Sequence, residues 1–360
     1  MALSGNKGEW SEIYTLFRIL GESKIHAGDA NMEKLDLYYP IINVIRKESK
    51  RYEYKPDVDQ HIVVVDEEGV EYARISMDRF MQESASLLKE IRSASKSAFE
   101  IPSSETFMNM IGCRKLKAPS SDKADIHIVI HDLRTGMTPN LGFSIKSQLG
   151  QPSTLINSNI STNVLYRVDG IAMTDIEMDD INSIKSHRAR IKAIYERGGT
   201  LSYTDIEHSV FKNNLLFLDC CMPRLVGECL LLGSISDSMS NIRDIVETIA
   251  VNNPLNYSGN NVLSFYEHKM KVLLIDAALG MTPAKEWNGR YDANGGYIIV
   301  RKDGEIVCYH FYNRNDVEDY LYNNTFLERA SRRRYKYGQL FRGEDGGVYI
   351  RLNLQIRFRK

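Results

Sequence analysis

A carboxylate and a lysine are predicted to meet on two neighbouring strands of this 360-residue chain. Residues 125–131 and 141–147 each alternate apolar and polar side chains, which predicts two strands, and the loop between them contains glycine and proline. If the strands pair antiparallel with Asp125 opposite Lys146, both side chains lie on one face. A carboxylate can bind Mg²⁺, and an ammonium can orient water and neutralise a phosphorane. The pair therefore predicts metal-dependent phosphodiester hydrolysis.

The first helix offers the further carboxylate that Mg²⁺ coordination requires. Apolar residues recur at helical spacing over 8–20, with Glu9 inside the apolar arc and Glu12 near its edge. Because a glutamate on a buried face needs a cation partner, Glu9 and Glu12 are both candidate metal ligands. The alternative is structural: both glutamates favour the helix N-terminus through its dipole, Asp125 caps a strand and Lys146 is solvated.

Other stretches have clear strand or helix patterns. A hairpin is predicted where residues 297–300 and 306–312 flank an Asp303-Gly304 turn. The sequence pattern predicts helices over 77–99, 175–197 and 317–330. It predicts a terminal strand over 348–358.

The composition is that of a globular protein outside the membrane. The chain is 43% hydrophobic and 26% charged, has no apolar run near the roughly 20 residues that cross a bilayer, and begins without a signal pattern, so its predicted location is the cytoplasm. A net charge of -1 argues against a general DNA coat, although residues 321–360 carry ten basic and three acidic side chains. The five cysteines include no CxxC pair and predict reduced thiols rather than a zinc site.

Four stretches resemble the HpaII family of type II restriction endonucleases. They are GNKGEWSEIY (5–14), GFSIKSQLGQPSTLINSNISTN (142–163), GGYIIVRKDGEIVCYHFYN (295–313) and LNLQIRF (352–358). The resemblance extends along nearly the whole chain. It implies an α/β fold of the PD-(D/E)xK nuclease type, with a mixed sheet flanked by helices over 1–235 and a C-terminal α+β region for DNA recognition over 236–360.

The resemblance also implies a catalytic motif that departs from the usual pattern. Asp125 matches the Asp of the motif, and Ser144-Ile145-Lys146 matches its E-x-K. Ala124 stands where proline often precedes the Asp, and Ser144 stands where an acid is expected. A neutral hydroxyl is a poor metal ligand, so the second carboxylate must come from elsewhere in the chain.

The first helix is the expected source of that carboxylate. In the superfamily that the resemblance implies, a glutamate often follows a glycine by four residues in the first helix. The spacing fits Gly5 to Glu9 and also Gly8 to Glu12. Periodicity favours Glu9, the local context favours Glu12, and both stay open; Gln148 is a weaker candidate.

The implied activity is Mg²⁺-dependent cleavage of double-stranded DNA at a short palindrome such as CCGG, leaving 5′-phosphate ends. A palindromic site favours a homodimer, and the host of such an enzyme needs a cognate DNA methyltransferase. Two alternatives stay open. One is another nuclease of the same superfamily, acting in repair or on junctions. The other is a DNA-binding protein that has lost catalysis, which the missing acid at Ser144 motivates.

Two polar stretches are candidate DNA contacts. The first follows Lys146 and contains small hydrogen-bonding side chains, among them Ser147, Gln148, Asn157, Thr162 and Asn163. The second mixes basic with aromatic residues and contains Arg332, Arg333, Arg334 and Lys336. Such groups suit phosphate or base contacts. The alternative interpretations are a loop with helix caps for the first stretch and a solvated loop after a helix for the second.

Overall fold

The computed structural model describes residues 2–117, 124–236, 240–291, 295–328 and 337–359. The chain divides into two compact units, each discontinuous in sequence. Unit 1 is Met1–Ser153 and Asp292–Tyr320 with Lys360, and unit 2 is Thr154–Tyr291 and Leu321–Arg359. No helix in the described ranges combines the length and the apolar character needed to cross a lipid bilayer. The functional division at residues 235/236 stays a prediction.

The strands and helices are numbered along the chain. The strands are β1 (Ser4–Gly5), β2 (Lys24–Gly28), β3 (Lys34–Lys47), β4 (Arg51–Asp57), β5 (Ile62–Glu67), β6 (Val70–Ser76), β7 (Phe99–Glu100), β8 (Ile126–Ile130), β9 (Asn140–Ser147), β10 (Thr154–Ile156), β11 (Asn163–Asp169), β12 (Thr200–Ile206), β13 (Gly296–Val300), β14 (Ile306–His310), β15 (Thr325–Leu327), β16 (Leu340–Arg342), β17 (Val348–Asn353) and β18 (Ile356–Phe358). The helices are α1 (Lys7–Glu22), α2 (Met77–Ser93), α3 (Pro102–Met110), α4 (Asp175–Ser183), α5 (His187–Glu196), α6 (Ser209–Leu218), α7 (Met222–Ile235), α8 (Ile242–Asn252), α9 (Val262–Leu279) and α10 (Arg314–Asn324).

Unit 1 is built on a mixed nine-stranded sheet with the strand order β2-β14-β13-β9-β8-β3-β4-β5-β6. Most neighbours run antiparallel, but β13 pairs parallel with β9, and β14 pairs parallel with β2. The predicted hairpin is confirmed as β13 and β14. Every residue of these two strands is buried, as expected for strands inside a sheet that is covered on both faces. The predicted α/β class is confirmed.

Helix α1 packs its apolar face into the core of unit 1. Trp10, Ile13, Tyr14 and Phe17 are fully buried. The Phe17 ring packs edge-on against Phe107, with ring centroids 5.0 Å apart. Burial of each large apolar side chain contributes about 1.5–3 kcal/mol, which holds this helix in one position against the rest of the core.

The strands β8 and β9 pair antiparallel as predicted, but the predicted register, which set Asp125 against the lysine of β9, is wrong by two residues. Ile126 pairs with Phe143 instead. The turn fixes this register, because the Asp132 N–H donates to the Met137 carbonyl at 2.9 Å and closes the loop in step with the strand pairs. A shift of two residues preserves the face of each side chain, so the acid and the lysine still share one face.

Unit 2 contains a four-stranded sheet, β12-β11-β17-β16, and a three-stranded sheet, β10-β18-β15. Several predicted element ends are wrong. The helix predicted over 175–197 is two helices, because Ser186 caps the start of α5. The helix predicted over 317–330 stops at Asn324, where the chain enters β15. The strand predicted over 348–358 divides into β17 and β18, which belong to different sheets. In unit 1, the helix predicted over 77–99 ends at Ser93.

Candidate active site

A cavity of about 810 Å³ in unit 1 is lined by most of the predicted catalytic residues. Glu9 and Glu12 of α1, Asp125 just before β8, and Lys146 of β9 all line it. Ser144 is not part of the lining but contacts two residues that are. Since a water occupies about 30 Å³, the cavity can admit a group much larger than a hydrated ion.

Two local contacts fix the position of Glu12 beside β9. Asn6 caps α1, and its side-chain oxygen accepts hydrogen bonds from the backbone N–H groups of Gly8 and Glu9. One turn further on, the Ser11 hydroxyl donates to Ser147 Oγ at 2.8 Å and joins the helix to the strand. Glu12 follows directly, so its carboxylate is held at the cavity by a helix that is itself buried in the core.

A chain of hydrogen bonds links Asp125 to Lys146. The Ile145 N–H and the Ser144 hydroxyl both donate to Asp125 Oδ2, at 2.6 and 3.1 Å. The Lys146 ammonium donates to Ser144 Oγ at 2.9 Å. Burial lowers the pKa of Lys146, and the charges of Asp125 and Glu12 oppose that shift. Ser144 therefore bridges the carboxylate and the ammonium at the position where the motif expects an acid.

Glu12 is a buried carboxylate with an unsatisfied oxygen. Its Oε2 atom has no hydrogen-bond partner among the described residues. Burial, followed by the negative charge of Asp125, raises the pKa of Glu12 to about 8. A buried carboxylate without a partner costs free energy, and two carboxylates that repel each other in one cavity are oxygen donors of the kind that hard divalent cations bind.

Glu9 differs from Glu12 because its carboxylate is already engaged. Its Oε2 accepts the Asn6 N–H at 2.9 Å and completes a capping box, and its Oε1 accepts from Lys117 at 2.9 Å. Burial raises the pKa of Glu9, but the hydrogen bond from Asn6 and the interaction with Lys117 outweigh it, so the net shift is downward. Of the two glutamates that the sequence left open, Glu12 is the one with an oxygen available.

Ser147 and Gln148, the first two candidate DNA contacts, lie in unit 1, and their polar groups form hydrogen bonds within the chain. Ser147 lines the cavity, and its hydroxyl oxygen accepts from Ser11 and from the Leu149 N–H. The side-chain Oε1 of Gln148 accepts from the backbone N–H of Lys302 at 3.3 Å. Gln148 is not among the residues that line the cavity, so its candidacy as a metal-binding group stays a prediction.

The remaining candidates of that stretch lie in unit 2 and differ in exposure. Asn157 is exposed. Thr162 is fully buried, and its hydroxyl donates to the Asn159 carbonyl. Asn163 is 1% exposed, and its side-chain oxygen accepts from Asn353. Thr162 and Asn163 agree with the alternative interpretation of this stretch, a loop with helix caps, because neither side chain reaches the surface. The second candidate stretch, the basic cluster, lies outside the described residues; its members are Arg332, Arg333, Arg334 and Lys336.

Two lysines that the sequence did not single out line the same cavity. Lys7 lies in the first turn of α1, and Lys96 lies in the segment 94–97 that follows α2. Neither ammonium has a carboxylate within salt-bridge distance in the described ranges, and the Lys7 ammonium donates only to the Arg92 carbonyl, at 3.3 Å. The small polar run Ser-Ala-Ser-Lys-Ser over 93–97 could have indicated this segment, but the helix predicted over 77–99 concealed it.

Comparison with known proteins agrees with the resemblance of the motifs. The family model for the HpaII restriction endonuclease matches residues 6–358. The type II restriction enzyme HpaII of Haemophilus parainfluenzae is 42% identical over 359 residues, covering 99% of this chain and 98% of that enzyme. No solved structure matches the chain. A family match over almost the entire chain, together with identity at this level, shows that the chain belongs to the HpaII family of type II restriction endonucleases.

Proposed function

We propose that the chain hydrolyses phosphodiester bonds of double-stranded DNA at a short palindrome, CCGG in the first instance, in a Mg²⁺-dependent reaction that leaves 5′-phosphate and 3′-hydroxyl ends. The observation that carries this proposal is the convergence of Glu12, Asp125 and Lys146 on one cavity, in a member of a restriction endonuclease family. These are the groups that metal-dependent phosphodiester hydrolysis requires.

The finer fold assignment is a PD-(D/E)xK core. Support comes from the mixed sheet of unit 1, in which Asp125 precedes β8 and Ser144-Ile145-Lys146 lies on the neighbouring strand β9. The acid missing at Ser144 is replaced in this proposal by Glu12, which reaches the cavity from α1. The core would therefore keep two carboxylates and one ammonium although its motif has lost an acid, which speaks against a protein that binds DNA without cutting it.

Glu12 and Asp125 fit a divalent cation. The buried Oε2 of Glu12 has no hydrogen-bond partner among the described residues, and the repulsion from Asp125 is of the kind that a bound cation relieves. Glu12 and Asp125 would hold the ion, and oxygens of water and phosphate would supply its other ligands. Glu9 is not needed as a ligand, because both of its oxygens are occupied.

The side chains of the cavity would contribute as follows. Bound Mg²⁺ would supply Lewis-acid stabilisation and a water of lowered pKa. In the described part of the chain the Lys146 ammonium donates one N–H, to Ser144, which leaves two N–H groups for the attacking water or a non-bridging phosphate oxygen. Its positive charge neutralises negative charge that develops on the phosphorus oxygens. In-line attack of a water oxygen on phosphorus would form the new P–O bond and break the bond to the 3′ oxygen. The water would lose a proton to solvent, the 3′ oxygen would take up a proton from solvent, and the phosphate would stay on the 5′ end.

Incubation of the purified chain with plasmid DNA and Mg²⁺ tests the proposal. We expect discrete fragments whose ends ligate and map to one palindrome, and no cutting in EDTA. Cleavage restricted to branched DNA would instead indicate a junction-resolving nuclease. A gel shift without cleavage under any divalent cation would indicate a DNA-binding protein and would overturn the catalytic proposal.

Two partners follow from a palindromic site. A two-fold symmetric site is matched by a two-fold symmetric dimer, so we propose a homodimer on DNA. The host genome needs protection, so we propose a DNA methyltransferase that modifies the same palindrome. Plasmid that has been methylated at the mapped site should resist cleavage, while unmethylated plasmid should be cut to completion.

Lys96 should contribute to DNA affinity rather than to chemistry. A lysine without a carboxylate partner at the catalytic cavity is suited to a phosphate of the bound strand, and one phosphate contact contributes about 0.9 to the slope of log affinity against log salt. We expect Lys96→Ala to weaken DNA binding about five- to tenfold at low salt and to reduce that slope by about one. Binding would be measured with Ca²⁺ in place of Mg²⁺ over a salt series.

Lys89→Ala is the matched control for Lys96→Ala. Lys89 is also exposed, lies seven residues earlier, on α2, and is not part of the cavity lining. We expect its replacement to leave both the affinity and the salt slope unchanged. Equal slopes for the Lys96 variant and the wild type would exclude a phosphate contact at this position.

A further inference from the structure

We infer that Tyr297 is a positioning residue for Lys146, and that its aromatic ring is the platform on which the catalytic ammonium rests. This inference rests on the proposed catalytic role of Lys146. The Lys146 ammonium lies 5.5 Å from the centroid of the Tyr297 ring, within the range of a cation–π contact. Tyr297 is 4% exposed, so the ring is held by its surroundings and offers a fixed surface.

The sheet explains why Tyr297 is at this place. On β13, which runs parallel to β9, Tyr297 stands in register with Ser144. Asp125 precedes the first pair of β8 with β9, so it continues the same row on the next strand. Residues in register on neighbouring strands point to one face. Tyr297, Ser144 and Asp125 therefore form a row across three adjacent strands.

Lys146 needs such a platform because its side chain is long and flexible. Among the residues that the structure describes, its ammonium has one hydrogen bond, to Ser144, and that bond fixes one direction only. An aromatic face attracts a cation electrostatically without using an N–H donor. The ring thus restricts the ammonium while its other N–H groups stay available for water and phosphate. Burial raises the pKa of the Tyr297 hydroxyl, so that group stays neutral and adds no charge to the site.

Variants at position 297 test the inference through the rate of the chemical step. Tyr297→Leu removes the aromatic face, and we expect the single-turnover cleavage rate to fall about tenfold or more while DNA affinity in Ca²⁺ stays unchanged. Tyr297→Phe keeps the face, and we expect it to restore the rate to within about threefold of the wild type. A Leu variant as fast as the wild type, or a Phe variant as slow as the Leu variant, would overturn the inference.

Tyr52→Leu is the matched control for lost packing. Tyr52 is a tyrosine that is 3% exposed on β4 of the same sheet, which β9, β8 and β3 separate from β13; it packs edge-on against Tyr72 and does not line the cavity. It should lower the melting temperature as Tyr297→Leu does and leave the single-turnover rate unchanged. If it slows cleavage as much as Tyr297→Leu does, the effect is one of stability, and the platform is rejected.

Fluorinated phenylalanines at position 297 keep the test valid if the Leu variant does not fold. They preserve the ring shape and progressively weaken its negative face, so the logarithm of the rate should fall with each added fluorine. A rate independent of fluorination would overturn the inference.

Ring-current shifts of the Lys146 side-chain methylene protons in NMR, assigned with Lys146→Arg, give a readout without DNA. If the wild type does not cut DNA but the shifts are present, the proposed function fails while the contact stands; absent shifts reject the contact itself.

Discussion

Lys146→Ala and Asp125→Asn should each reduce single-turnover DNA cleavage by roughly a thousandfold or more. Removing the ammonium takes away the donor proposed to orient water and neutralise the phosphorus oxygens, and removing the charge of Asp125 takes away one of the two carboxylates proposed to hold Mg²⁺. Asparagine keeps an oxygen that can accept from the Ile145 N–H, so the local fold should survive. Rates would be measured with enzyme in excess over a short duplex that contains the cleavage site.

DNA affinity is the control for these two variants. With Ca²⁺ present, Lys146→Ala should bind the duplex within a few fold of the wild type, because the ammonium acts mainly on the transition state. Lys89→Ala, at an exposed position outside the cavity, should cut normally. Normal cleavage by both active-site variants would show that the reaction takes place elsewhere on the molecule.

Glu12→Gln should abolish cleavage to a similar extent, whereas Glu9→Gln should reduce it only slightly. Glu12 has the unpartnered oxygen, and Glu9 is occupied by Asn6 and Lys117. Glutamine at position 12 removes the charge with almost no change in shape. The same pair of variants would be compared in single-turnover cleavage and in thermal unfolding with and without Mg²⁺.

The pH dependence of the free energy of unfolding without metal gives a second test of Glu12. Its folded pKa of about 8 exceeds the ordinary value of 4.5, so the unfolded chain releases this proton first as pH rises, and the folded state loses stability between about pH 4.5 and pH 8. In EDTA at pH 7, Glu12→Gln should be more stable than the wild type by about 3 kcal/mol, and the difference should vanish near pH 4. A variant that is less stable than the wild type in EDTA, or still stabilised by Mg²⁺ as the wild type is, would contradict metal binding by Glu12.

The alternation of side chains was enough to put Asp125 and Lys146 on one face, but not to set their register. Alternation repeats every two residues, so it cannot distinguish pairings that differ by two. The turn between β8 and β9 decides, through the hydrogen bond from Asp132 to Met137, and its geometry is not visible in a hydrophobic pattern. The face was predictable because every even shift preserves it.

Contacts between distant parts of the sequence explain what could not be predicted. Helical periodicity gives the direction of Glu9 and Glu12 around α1, but not that Glu9 pairs with Lys117, which is far away in the sequence. Tyr297 belongs to an apolar strand whose pattern contains no sign of the parallel pairing with β9. A run of small polar residues likewise looks the same whether it is exposed, as Asn157 is, or buried in a hydrogen-bonded network, as Thr162 is.

The parallel pairing of β13 with β9 has a consequence for how the cell could tolerate this enzyme during its synthesis. The strand that carries Lys146 gains its second neighbour only when residues 296–300 have been translated. A nascent chain on the ribosome, or a fragment released by premature termination before that point, contains Glu12, Asp125 and Lys146 but lacks the strand that completes their sheet. Such unfinished products should be harmless to unprotected DNA, so that the capacity to cut arrives only after residue 300 has been translated.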